Sequence, residues 1–219
     1  MNTPETAYPE IEKLVLKFKD MPTRQRKTMN ENATRQGFIM PMFRALGWDI
    51  DNINEVIPEE KVSRGFVDFS FRIGGVPRYF LETKRADEDL TNPQWVRQAI
   101  DYAWTKSVTW ALLSDFEGLI VFNAEAKTEN PYQARFLDFN LDTYLTNFEK
   151  LWWLSREQTA LGRLDTEADK FGRVNKRLPV SYELFNDLKK WRQILFNDFK
   201  LYNPILPPGD IDNAILHLL

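Results

Sequence analysis

Residues 65–85 read GFVDFSFRIGGVPRYFLETKR. Two runs of alternating or aromatic-rich residues flank the Gly74-Gly75 pair, and this pattern predicts a β-hairpin. Because strand side chains alternate between the two faces of a sheet, Asp68 on the first strand and Glu82 and Lys84 on the second are expected on polar faces. An acid on one strand would then lie beside an acid and a lysine on its neighbour. That geometry is typical of a divalent-metal site with an adjacent cation.

The alternation also predicts which side chains share a face. On the first strand, one face is expected to carry Val67, Phe69, Phe71 and Ile73. On the second strand, one face carries Tyr79, Leu81 and Thr83, and the other carries Phe80, Glu82 and Lys84.

Composition limits the chemistry that such a site can use. The chain has 219 residues, of which 43% are hydrophobic, so it can bury a core. It has no Cys and a single His, His217, which excludes thiolate chemistry, histidine-based zinc sites and Ser-His-Asp catalysis within this chain. Catalysis would have to rely on carboxylates, lysines, hydroxyls and a hard metal, with Mg²⁺ the first candidate. No apolar run approaches ~20 residues, so no membrane span is predicted.

On the N-terminal side of the hairpin, Ile11, Leu14, Val15 and Phe18 recur at helical spacing. A capping box over Thr28, Met29, Asn30 and Glu31 predicts a second helix that continues to about Leu46, with a kink at Pro41 and a glycine cap at Gly47. Residues 54–57 are predicted to form a short strand.

On the C-terminal side, Asn92-Pro93 predicts the start of a helix over residues 94–106. Gln98 and Tyr102 lie four residues apart and hence on one face of it. Two buried strands are predicted over residues 108–113 and 118–123, and residues 135–141 are either another strand or a closing segment. The combination favours an α/β fold with a mixed sheet. Trp95, Trp104 and Trp110 are predicted to be core residues rather than base-stacking platforms.

Past Asp142 the spacing of apolar residues becomes helical, with a loop-like join predicted over residues 162–179. We therefore divide the chain into residues 1–141 and a helical extension, residues 142–219. Ile211, Ile215, Leu218 and Leu219 predict an exposed apolar end that follows a helix start at Asp210. Such an end indicates that the chain is the N-terminal part of a longer polypeptide.

Several of these residues together resemble a known family. Asp68 and Glu82-Thr83-Lys84 resemble the D…(D/E)-x-K signature of the PD-(D/E)XK nucleases. Asn30-Glu31-x-x-Thr34-Arg35 resembles the nuclease domain of type I restriction subunits and of fused type IIG restriction–modification enzymes. Gln98-x-x-x-Tyr102 resembles the Q-x-x-x-Y motif of RecB-like and type I nuclease domains. The resemblance covers about residues 30–123, with Glu55 on a strand before the hairpin and Val67 where the family usually has proline.

The resemblance implies a restriction-endonuclease-like mixed sheet flanked by helices, followed by a C-terminal helical extension. It implies Mg²⁺, or Mn²⁺ in its place, held by Asp68, Glu82, the Thr83 carbonyl and Glu31. Lys84 would orient or deprotonate the attacking water, and Gln98 and Tyr102 would position the substrate phosphate and the lysine.

Each residue also has a structural alternative. Asp68, Glu82 and Lys84 could be polar residues of a half-exposed sheet, and Glu31 could only cap its helix. Glu55 is predicted to be a solvated strand residue, Gln98 and Tyr102 could be purely structural, and Arg35 either pairs with an acid or contacts phosphate.

The resulting prediction is a Mg²⁺-dependent endonuclease domain that hydrolyses double-stranded DNA in the prokaryotic cytoplasm. The C-terminal DLKKWR and Asn203-Pro204 resemble the connector that leads to an N6-adenine methyltransferase and a target-recognition domain in fused enzymes. S-adenosylmethionine would bind only in that missing domain. The alternatives are a RecB-like repair or recombination nuclease, or a catalytically silent DNA-binding module with the same fold.

Overall fold

The computed structural model describes residues 2–62, 65–126, 128, 130–170, 180–203, 206–207, 211 and 214–215. The chain forms two compact units, Met1–Asn175 and Lys176–Leu219. No helix within the described ranges is both long and apolar enough to cross a membrane.

A six-stranded sheet forms the centre of the first unit. Its strands are β1 Val56–Val62, β2 Gly65–Ile73, β3 Val76–Thr83, β4 Trp110–Ser114, β5 Gly118–Asn123 and β6 Arg135–Asn140. They lie side by side in sequence order. Only β3 and β4 run parallel, and every other neighbouring pair is antiparallel. A parallel neighbour needs a crossover connection, and the helix α5 (Pro93–Thr105) supplies it.

Among the described residues, the remaining α-helices precede or follow the sheet in the sequence. Before it come α1 Pro4–Lys19, α2 Thr23–Thr28, α3 Glu31–Thr34 and α4 Met40–Ala45. After it come α6 Thr143–Thr146, α7 Phe148–Trp152, α8 Arg156–Ala160 and α9 Arg163–Lys170. The second unit contains α10 Val180–Tyr202.

Each face of the sheet is covered by its own hydrophobic cluster. One face packs against the N-terminal helices through residues that include Ile11, Phe43, Phe71, Tyr79 and Leu112. The other face packs against α5 through residues that include Val67, Phe80, Val96, Leu113 and Phe122. The result is an α/β fold in which helices cover both sides of a mixed sheet, as predicted for a restriction-endonuclease-like core with a helical extension.

The hairpin and its turn are confirmed. Gly74 and Gly75 have φ of 58° and 80°, the left-handed backbone that favours glycine in a two-residue hairpin turn. Tyr79 and Leu81 pack in the first cluster and Phe80 in the second, as the alternation predicts. Val67 is the exception, because it packs in the second cluster whereas Phe69 and Phe71 pack in the first. The β2–β3 ladder begins only at Phe69–Leu81, so Val67 lies where the two strands have parted.

The predicted single helix over residues 28–46 is wrong in its details. Asn30, not Thr28, caps α3 by accepting a hydrogen bond from the Ala33 N–H at 2.8 Å. A π-helical turn, Arg35–Ile39, separates α3 from α4. It lies just before Pro41, which has no N–H to donate to the preceding turn. The kink expected from Pro41 therefore takes the form of a widened turn.

The C-terminal half departs from prediction at three places. The first unit continues to Asn175, beyond the predicted boundary at residue 141, because aromatic residues such as Tyr144 and Trp152 pack in the first cluster. Residues 163–170 of the predicted loop-like join form α9, while residues 171–179 lie outside the described residues. Ile211 and Ile215 are buried rather than exposed. Asp210, His217, Leu218 and Leu219 lie outside the described residues.

Candidate functional site

The candidate site lies where β2 and β3 separate. Their hydrogen-bonded ladder includes Phe69–Leu81, and the next opposed pair would be Asp68 and Glu82. Here side chains replace the missing backbone bonds. Asp68 Oδ2 accepts from the Thr83 N–H at 2.7 Å and lies 2.8 Å from Thr83 Oγ1. The Asp68 N–H donates a longer bond of 3.4 Å to Glu82 Oε1. The strand separation therefore brings both predicted acids together.

Glu82 is a buried acid beside a second acid. Its side chain is 4% exposed. Gln98 Nε2, on α5, donates to Glu82 Oε2 at 3.1 Å. Burial and the neighbouring Asp68 carboxylate raise the pKa of Glu82 to about 8, although Lys84 acts in the opposite direction. A carboxylate in this environment gains from a nearby cation, because a cation offsets both causes of the raised pKa.

Lys84 lies on the same side of β3 as Glu82. Its backbone N–H donates to the Ser114 carbonyl at 2.9 Å, which fixes the chain just past the end of β3. Its ammonium nitrogen is 3.8 Å from Glu82 Oε2 and 4.6 Å from the centre of the Trp95 ring. The lysine is thus held close to the acid without a direct hydrogen bond to it.

Arg35 forms the opposite side of the site. Its Nη2 donates to Glu31 Oε1 at 2.8 Å and to Thr83 Oγ1 at 2.9 Å, and lies 3.0 Å from Asp68 Oδ1. Arg35 therefore pairs with two acids, which is one of the two roles predicted for it, and contact with a phosphate stays a prediction. Glu31 is consequently engaged by Arg35, while its neighbour Asn30 provides the helix cap.

Gln98 and Tyr102 share one face of α5, as predicted. Gln98 contacts Glu82 directly, whereas Tyr102 lies against the start of β2. A Cβ atom added at Gly65 would come within 2.6 Å of the Tyr102 hydroxyl oxygen. Gly65 also has a φ of 154°, which disfavours any residue with a side chain. Because Gly65 has no side chain, the Tyr102 hydroxyl can lie close to the backbone at the start of β2.

The carboxylates of Asp68 and Glu82 are ligands that suit a hard cation. Mg²⁺ is commonly held by one or two carboxylates, with water and substrate phosphate completing its shell. Within the described part of the chain, no three Asp, Glu, His or Cys side chains are grouped closely enough to hold a metal ion. Glu31 therefore does not join Asp68 and Glu82 in a group of three metal ligands, but Mg²⁺ can be held by two carboxylates without a third acid.

Two predictions outside this cluster need correction. Glu55 is not a solvated strand residue: it precedes β1, accepts from the Asp49 N–H at 3.0 Å and pairs with Arg156 at 2.8 Å. Of the three tryptophans predicted to be core, Trp110 is buried, Trp104 is 37% exposed, and Trp95 is half-buried beside Lys84. Trp95 lies three residues before Gln98 on α5, and this i, i+3 spacing is the pattern in the sequence that could have predicted Trp95 at the site.

Comparison with known proteins finds a sequence relative. The chain is 25% identical over 225 residues to the type II restriction enzyme and methyltransferase RM.Eco57I of Escherichia coli. This chain is similar to part of a restriction enzyme. The similarity covers 94% of the chain but 22% of that protein, so the chain spans about a fifth of the length of its relative. No protein-family model matches the chain, and no solved structure matches it.

Proposed function

We propose that this chain is the Mg²⁺-dependent DNA endonuclease part of a restriction–modification enzyme of the PD-(D/E)XK type. The observation that carries the proposal is the buried Glu82, which lies beside Asp68 and within 4 Å of Lys84 where β2 and β3 part. The similarity to a fused restriction enzyme and methyltransferase supports it, because the aligned region includes nearly the whole chain.

Asp68, Glu82 and the Thr83 carbonyl would hold the cation. A bound Mg²⁺ supplies Lewis acidity toward a phosphate and makes a coordinated water more acidic. Lys84 orients the attacking water and offsets the negative charge of the phosphate. Gln98 holds the Glu82 carboxylate through its 3.1 Å hydrogen bond, and Thr83 fixes Asp68 through its N–H and hydroxyl. Arg35 steadies Asp68 from the other side.

The relative's name describes a restriction enzyme joined to a methyltransferase. We accordingly propose that the nuclease is carried by the first unit, Met1–Asn175, and is joined to methyltransferase and target-recognition domains in the native polypeptide. S-adenosylmethionine would bind there and not in this chain.

A catalytically silent DNA-binding module is the second candidate, because the Arg35 guanidinium already pairs with Asp68, the acid that would hold the metal. Covalently closed plasmid DNA separates the possibilities. The proposal predicts nicking in Mg²⁺ or Mn²⁺, none in EDTA, and none by Asp68→Asn in any of these buffers. Retention of DNA without nicking would favour the silent module. Cleavage of linear DNA with closed circles left intact would favour a repair nuclease that starts from DNA ends.

A further inference from the structure

A half-buried tryptophan lies directly against Lys84. The Lys84 ammonium nitrogen is 4.6 Å from the centre of the Trp95 ring, and the lysine side chain is only 12% exposed. Its distance of 3.8 Å to Glu82 Oε2 is too long for a hydrogen bond. An ammonium with so little water needs other favourable contacts, and the face of an indole ring is the strongest that an aromatic residue offers.

Trp95 belongs to the same helical face that contacts Glu82. Trp95, Gln98 and Tyr102 lie at positions i, i+3 and i+7 of α5, so they form one stripe along the helix. Gln98 holds the acid through a hydrogen bond, and Trp95 lies over the lysine. One rigid helix therefore fixes both side chains at the end of β3.

A tryptophan at position 95 costs stability, because its indole N–H has no hydrogen-bond partner within the described part of the chain, and its contact with Lys84 offsets this cost. Trp95 packs against the second hydrophobic cluster, and its indole Nε1 is buried without a hydrogen-bond partner among the described residues. A buried N–H without a partner lowers stability. Phenylalanine would avoid this cost but offers a cation a weaker surface. An indole at this position makes physical sense if its face is used to hold Lys84.

We propose that Trp95 is a positioning residue for Lys84: its ring holds the ammonium beside Glu82, in place for the proposed nuclease reaction. The catalytic consequence rests on the proposed function, whereas the contact itself does not. Three variants test it. Trp95→Leu keeps an apolar side chain without a π face, Trp95→Phe restores a π face, and Trp104→Leu is the matched control on the same helix.

The contact is measured first, in the metal-free protein by NMR. Protons above an aromatic ring resonate upfield, so the side-chain protons of Lys84, assigned by comparison with Lys84→Arg, are expected upfield of the other lysines. Trp95→Leu should abolish this shift, and Trp95→Phe and Trp104→Leu should retain it. An unshifted Lys84 in the wild-type protein, or a shift that survives in Trp95→Leu, would overturn the inference.

Single-turnover cleavage at saturating plasmid and Mg²⁺ measures the consequence. Trp95→Leu should slow cleavage about tenfold, and Trp95→Phe should recover to within about threefold of the wild type. DNA affinity in Ca²⁺ should change by less than about twofold in both, because Trp95 acts on Lys84 and not on the DNA. Equal slowing in the Leu and Phe variants, or in Trp104→Leu, would overturn the positioning role. If the wild type cleaves no DNA while the Lys84 shift is present, the proposed function fails and the Trp95–Lys84 contact stands.

Discussion

Replacing Glu82 by glutamine should stabilise the metal-free protein while it removes the proposed function. The Glu82 carboxyl is 4% exposed and its pKa is raised from 4.5 to about 8 by burial and by Asp68. A shift of this size corresponds to about 3–5 kcal/mol against the ionised form. Because the folded-state pKa is the higher one, Glu82's contribution to stability is fully present below pH 4.5 and is lost as the pH rises through about 8.

Glutamine is neutral at every pH and can still accept the hydrogen bond from Gln98. Its benefit at pH 9 is reduced because Lys84 loses the nearby carboxylate. We therefore expect Glu82→Gln to gain about 1–3 kcal/mol over the wild type at pH 9 in EDTA, or about 2–10 °C in Tm for a chain of this size. The gain should shrink toward zero near pH 5, where the wild-type carboxyl is protonated in the folded state.

Thermal unfolding followed by circular dichroism at pH 5, 7 and 9 measures this difference, with Glu10→Gln on the exposed surface of α1 as the control. Added Mg²⁺ should reverse the order at pH 9, because it binds the wild-type folded state and not the variant. Two results would refute the raised pKa of Glu82: a variant that is equally or less stable than the wild type at pH 9, or a stability difference that does not depend on pH.

Three further substitutions test other parts of the site. Lys84→Ala should retain Mg²⁺-induced stabilisation but lose at least about 100-fold in cleavage rate, because an ammonium does not ligate metal; loss of the Mg²⁺ effect by calorimetry would assign Lys84 to holding the site together. Gly65→Ala should cost about 1–3 kcal/mol in denaturant unfolding, and less in a Tyr102→Phe background, because the new Cβ meets the tyrosine oxygen; an unchanged cost in that background would contradict the contact. Arg35→Met should lower the free energy of unfolding by about 1–3 kcal/mol in EDTA, because the substitution leaves Asp68 without its cationic partner. Mg²⁺ should restore part of this loss, and the absence of any recovery would show that Arg35 and the metal do not act on the same acid.

The hairpin and the assignment of side chains to the two faces of β3 could be predicted because they depend on local rules. Gly74-Gly75 fixes the turn, and strict alternation puts Glu82 and Lys84 on one side and Thr83 on the other. The face of Val67 could not be predicted in the same way, because it depends on where β2 leaves the ladder with β3.

Helix α9 illustrates the same limit. Its sequence, RLDTEADK, is polar and suggests a loop. In the fold its Leu164 and Ala168 are buried, and Trp110 Nε1 donates to Asp165 Oδ1 at 2.8 Å. These contacts come from a distant part of the chain, so no local pattern contains them.

The Glu31–Arg35 ion pair, by contrast, is local, at positions i and i+4, and pairing with an acid is one of the two alternatives for Arg35. The contacts of Arg35 with Asp68 and Thr83 again join distant parts of the chain, so no local pattern contains them.

The most direct test of this account is the position of Mn²⁺ in crystals of the wild-type protein, located by anomalous scattering. We expect one strong peak within coordination distance of Asp68, Glu82 and the Thr83 carbonyl, and no peak at this position in Asp68→Asn crystals. A site with Arg35 still bound to Asp68 and no Mn²⁺ beside it, in a protein that cleaves DNA in the same buffer, would contradict the assignment of these residues to the metal.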